Sequence, residues 1–160
     1  MVLLQGEPAL RNTPARPPAV PPDRMRQLTS DVGRQRRGSG TARGPSGQIA
    51  RFAVAAGDAG YDEARTVFNA LIDHRPALIA RCSGAADIIA AVEFAREHDL
   101  LVSIKGGGHG VAGKAVCDGG LMIDPSRMKS IRVDPGAQIV RAEPGVLGAE
   151  LDRETQAFGR

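Results

Sequence analysis

The chain has 160 residues, 42% hydrophobic but only 3% aromatic, with 20 Gly, 11 Pro and no Trp. That length suits one domain with an aliphatic core; no apolar run approaches the roughly 20 residues that span a bilayer, and the opening Met1-Val-Leu-Leu4 is too short for a secretory leader. The net charge of +3 is uneven, since residues 1–44 hold eight Arg against three acids and leave 13 basic against 15 acidic residues in the rest.

Residues 1 to about 50 are dominated by Pro, Arg, Gly, Ser and Thr, without apolar periodicity able to bury a face. They read as a disordered extension. A basic interaction arm and an organellar transit peptide are the functional alternatives, the latter weakened by Glu7, Asp23 and Asp31. The arm lacks the aromatics of a stacking surface, so no nucleic acid is expected as a partner.

Order is expected from Gly60 to Arg160. There Ala64, Val67, Phe68, Leu71 and Ile72 recur at helical spacing, predicting a helix that ends at Arg75-Pro76. Ala77 to Ala80 predicts a buried strand. Ser83 predicts the cap of a second helix, with Asp87 in its first turn and Ala85, Ile88, Ile89, Val92 and Ala95 as its buried stripe. Leu101 to Ile104 predicts a second buried strand, so the fold class is α/β (α+β): a βαβ unit with parallel strands. Short strands at 120–124, 131–133 and 138–142 follow, separated by turns at Pro125-Ser126 and Asp134-Pro135-Gly136, and a last helix from about Val146 presents Leu147, Leu151 and Phe158.

The strand at 101–104 breaks into Lys105-Gly106-Gly107-Gly108-His109, with Gly110 and Gly113 close behind. Side-chain-free residues allow positive φ and bring bare N–H groups against an anion such as a pyrophosphate. Neither the dinucleotide spacing G-x-G-x-x-G nor the phosphate-loop spacing G-x-x-x-x-G-K-[ST] is present, which disfavours nicotinamide and ATP readings. A loop following a parallel strand lies at the strand's carboxyl end, where open α/β sheets place ligands.

Several stretches carry a family resemblance: Tyr61-Asp-Glu-Ala-Arg65, Ile72-Asp-His-Arg-Pro76, Ala80-Arg-Cys-Ser83, Lys105 to Gly113, Cys117-Asp-Gly-Gly120 and Leu151 to Gly159. Through them residues 60–160 resemble the FAD-linked oxidases of the berberine-bridge-enzyme-like group, in the vanillyl-alcohol oxidase and p-cresol methylhydroxylase (PCMH-type) flavoprotein superfamily. The resemblance implies the N-terminal portion of a PCMH-type FAD-binding domain, with Lys105, Gly106, Gly107, Gly108, His109, Gly110 and Gly113 around the FAD pyrophosphate and His109 bonded covalently to the flavin 8α-methyl. A neutral imidazole nitrogen is a nucleophile at physiological pH, which suits that role. Two positions depart from the family pattern: Lys105 stands where Arg is common, and Gly110 where Asn or Ser is frequent.

Relatives continue beyond the position of Arg160 into a second glycine-rich FAD segment and a substrate domain that supplies the catalytic base. The expectation is therefore the FAD-binding part of a flavin-dependent oxidoreductase, truncated before both, with no catalytic residue of its own and a small-molecule substrate only when the C-terminal part is present. The alternatives are a catalytically incompetent fragment needing a C-terminal partner chain and, more distantly, an Arg-rich nucleic-acid binder.

Other reactive side chains read as structural. Lys105 itself has two readings, phosphate contact or solvated strand-end charge. His74 lies near a helix end, and the helix dipole accounts for His98. No set of ligands spaced for a metal accompanies His109. Cys82 and Cys117 form no disulfide framework, so a cytoplasmic protein is expected; Cys82 is expected to be buried, and Cys117 to line the flavin site or pack a turn.

Overall fold

Four residues in sequence, Leu121-Met-Ile-Asp124, are all buried, and such a run belongs in the middle of a covered parallel sheet. The computed structural model, which describes residues 20–37 and 44–159, places them there. Numbered in chain order, the sheet strands are β1 (Ala53–Ala55), β2 (Leu78–Arg81), β3 (Val102–Ile104) and β4 (Leu121–Asp124), in spatial order β1-β2-β4-β3. β4 pairs in parallel with β2 and β3, and β1 is antiparallel to β2. The two strands of the expected βαβ unit are thus parallel, with β4 inserted between them.

Alternation along the strands divides the core in two. Leu78, Ala80, Leu121 and Ile123 face a helical layer; Ile79 and Met122 face Tyr61, Ala64, Val67 and Val116. The helical layer consists of α1 (Pro22–Arg37), α2 (Pro45–Ile49) and α4 (Ala85–Glu97), and α3 (Tyr61–Arg65) covers the opposite face. At residues 22–37 and 45–49, α1 and α2 stand where the sequence predicts disorder. Met25, Leu28 and Val32 fall at i, i+3 and i+7, and Leu28 and Val32 are buried against α2 and α4, a stripe obscured by the surrounding arginines. Residues 1–19 and 38–43 lie outside the described set.

Further expectations are corrected. The helix foreseen to run to Arg75-Pro76 stops at Arg65, because Thr66 turns extended. Phe68 and Leu71 are then exposed, and residues 66–77 form an irregular strap. The stripe of α4 is rotated: Ala90, Ala91, Phe94 and Ala95 are buried, whereas Ala85, Ile89 and Val92 are exposed. Small residues let the helix approach the sheet closely, and Phe94 fills the gap, a burial worth about 1.5–3 kcal/mol. Ser83 is not the cap; Gly84 holds that position, and the Asp87 carboxylate accepts the Ser83 N–H at 2.8 Å.

β3 is an edge strand, with Ser103 buried but Val102 and Ile104 exposed, so it is not the fully buried strand expected. Beyond β4, β5 (Ile131–Asp134) and β6 (Ile139–Ala142) form a separate antiparallel pair. α5 (Gly148–Gln156) follows without a buried residue, leaving Leu147 and Phe158 exposed. Among the described residues, no helix is long and apolar enough to cross a membrane.

Candidate functional site

Because β4 lies inside β3, the chain leaving β3 must return to the opposite end of the sheet before it can run parallel again. Parallel strands ordinarily make that return through a helix. Here residues 105–120 make it as an irregular segment, starting at the carboxyl end of β3 and closing where the Gly119 N–H reaches the Arg75 carbonyl at 2.8 Å. Val116 anchors its middle in the α3-side core. The glycine loop is the first part of this return, so the sheet order places it at the carboxyl ends of the strands.

Two segments hold the loop. On the strap side, the Phe68 N–H donates to the Gly108 carbonyl at 3.0 Å. Ile72 also lies so close that a Cβ on Gly113 would stand 2.9 Å from it. On the other side, Pro144 and Leu147 close in: a Cβ on Gly106 would be 3.1 Å from the Pro144 carbonyl oxygen, and one on Gly107 would be 3.0 Å from Leu147. Gly108 and Gly113 have φ of +72° and +68°, a region that costs other residues strain. Gly110 has open space around it.

Among the described residues, none of the backbone N–H groups from Gly106 to Ala112 donates to a protein acceptor. Seven successive unmatched donors, four of them on glycines, leave the backbone accessible to phosphate oxygens. Most of these residues are exposed, so their amides are open to an outside acceptor, and a diphosphate supplies several at once. The residues present therefore fit the pyrophosphate of a dinucleotide.

His109 is exposed, and its ring stacks on Phe68 with centroids 5.5 Å apart and planes inclined by 29°. The Lys105 ammonium turns the other way, donating to the Ala64 carbonyl at 2.5 Å. Burial pushes its pKa below the usual 10.5, with the Asp124 carboxylate opposing. It thus ties α3 to the end of β3, which leaves the loop amides without a nearby ammonium directed at them.

Strand-end charges that sequence reading passed over lie beside it. Arg81 and Asp124 are register partners at the ends of β2 and β4. Asp124 is 2% exposed and accepts the Ser126 N–H, while the buried Arg81 Nε stands 3.7 Å from Asp124 Oδ2, within ionic reach but beyond a hydrogen bond. The available signal was a charge closing each of two apolar runs.

The remaining polar candidates are structural. His74 Nδ1 meets Asp118 Oδ2 at 2.5 Å, pinning the strap near the start of β4. His98 caps α4 and reaches Ser46 at 3.3 Å. Cys82 is fully buried, which pushes its thiol up to about 12. Cys117 is buried as well and accepts the Ser103 hydroxyl at 3.3 Å; burial raises its pKa too. Among the described residues, no group of three His, Cys, Asp or Glu is placed to hold a metal ion.

A family model described as an FAD binding domain matches residues 76–160. The chain is 35% identical over 102 residues to (R)-6-hydroxynicotine oxidase of Paenarthrobacter nicotinovorans, covering 64% of this chain and 22% of that protein. It is 40% identical over 77 residues to glucooligosaccharide oxidase of Sarocladium strictum, covering 47% and 15%. The crystal structure of 6-hydroxy-D-nicotine oxidase from Arthrobacter nicotinovorans superposes with a TM-score of 0.65 at 34% identity, over 67% of this chain and 24% of that one. The chain spans about a fifth of the length of the curated relatives it matches.

Proposed function

The chain belongs to the FAD binding domain family, matched over residues 76–160, and on that premise we propose that it is the FAD-binding part of a flavin-dependent oxidoreductase of the oxidase type. The unmatched amides of residues 106–112 carry the reading, because a diphosphate supplies the acceptors for these N–H donors that the protein does not provide. Gly106, Gly107, Gly108, Gly110 and Gly113 keep the loop open, and Lys105 holds its base against α3. When bound, the flavin supplies hydride acceptance from an alcohol, sugar or amine-bearing carbon; the protein's part is to bind and orient it. The named activities of the nicotine and oligosaccharide oxidases support that range of substrates.

The finer proposal is that His109 holds the flavin covalently. Its nitrogen forms a C–N bond to the 8α-carbon; one methyl C–H and one imidazole N–H break, and the two hydrogens with their two electrons leave to dioxygen as hydrogen peroxide. The exposure of His109 on the loop leaves it accessible for that bond. Purified protein supplied with FAD is expected to turn yellow and to keep its flavin through acid precipitation, whereas His109→Ala releases it. Acid-stable flavin in the variant overturns the assignment.

A second reading, a chain inactive without a separately supplied C-terminal part, is favoured by the exposure of Ile104 (63%) and Val111 (82%) beside the loop. It predicts oxidase activity only after that part is added. The two unpaired buried thiols support placement in a reducing, cytoplasmic compartment.

A further inference from the structure

We propose that Phe68 is a positioning residue for His109: its ring, presented by the strap, holds the imidazole in the orientation from which a nitrogen reaches the flavin. The inference rests on the covalent assignment above and adds a residue that no motif marks. Phe68 is 79% exposed, so burial does not explain its place. Its exposed ring nevertheless stacks on an exposed imidazole, an arrangement in which aromatic pairs attract beyond the area they bury.

The backbone fixes the pair. The Phe68 N–H donates to the carbonyl of Gly108, the residue immediately before His109. Val67 is buried on the core side and packs against Gly108, where an added Cβ would stand 3.5 Å from the Val67 Cα. With Val67 buried on the core side, its neighbour Phe68 is left exposed against the loop. The imidazole also lies over Gly107, where a Cβ would be 2.8 Å from Nδ1. Contacts with Gly107 and Phe68 together restrict a ring whose χ2 is otherwise broad. Bond formation depends steeply on such orientation.

The test uses the whole chain as wild type, Phe68→Ala, Phe68→Tyr and His109→Ala. In the protein without flavin, carbon-bound proton resonances of the His109 ring are expected at ring-current-shifted positions in wild type and Phe68→Tyr; Phe68→Ala moves them and leaves those of His74 and His98 in place. On addition of excess FAD, Phe68→Ala is expected to slow acid-stable attachment roughly 10- to 100-fold. Its reversible FAD affinity stays within about threefold, as for a surface change, and Phe68→Tyr restores the rate.

Unmoved His109 resonances, or wild-type attachment by Phe68→Ala, overturn the role of Phe68 and leave the covalent reading intact. Wild-type protein that forms no acid-stable flavin, or His109→Ala that forms as much, overturns the covalent reading and with it the proposal.

Discussion

At the scale of single residues, glycines of the same loop do different work. Gly113 combines a φ of +68° with Ile72 atoms 2.9–3.1 Å from where a Cβ would be, so Gly113→Ala must strain the backbone or push the strap away. A loss of about 1–3 kcal/mol is expected, read as a lowered urea midpoint. Gly110→Ala meets open space without positive φ and should stay within about 0.5 kcal/mol. Equal effects would mean that the strap does not brace the loop. Cys82 gives an independent check on packing: with its thiol pushed up to about 12 by burial, it should resist aromatic disulfide reagents at pH 8 and react on unfolding.

At the scale of elements, errors in the sequence reading share one cause. Periodicity in the segment 64–72 marks residues able to share a helical face, but Thr66 leaves the helix and the Phe68 N–H finds its acceptor on the glycine loop. That acceptor is distant in sequence. In α4 the more apolar side holds Ile89 and Val92, yet the helix buries its alanines with Phe94, because close approach to the sheet favours small side chains. α1 is the converse: its stripe of Met25, Leu28 and Val32 is sparse within an arginine-rich sequence, yet Leu28 and Val32 belong to the main core. Leu28→Ala is therefore expected to cost about 2–5 kcal/mol in chemical denaturation. No loss of stability would mean that α1 is not part of the folding unit.

At the scale of the whole molecule, titration sets the pH range over which the fold holds. The Ala55 N–H lowers the Asp58 pKa against the opposing cost of burial, Arg65 lowers that of Asp73, and Lys129 lowers that of Glu150. Their contribution is present above the ordinary values of 3.8, 3.8 and 4.5 and is lost as pH falls through the depressed folded values. Burial raises Cys82 from 9.0 to about 12 and raises Cys117 and Tyr61, so their contribution is present below the ordinary values and lost as pH rises through the folded ones. Lys105, lowered from 10.5, works the other way, since its burial cost eases as it deprotonates. Thermal unfolding should show a plateau from about pH 5 to pH 9 with a fall on each side; a maximum outside that window would contradict these assignments. The α/β class, the strand runs from β2 to β6 and the glycine loop with its imidazole were legible in the sequence, because each depends on local composition and on turns that only particular residues make. Strand order, the insertion of β4, the inclusion of α1 in the core and the stacking of Phe68 on His109 were decided by the tertiary structure, because each depends on partners far apart along the chain whose meeting no local pattern records.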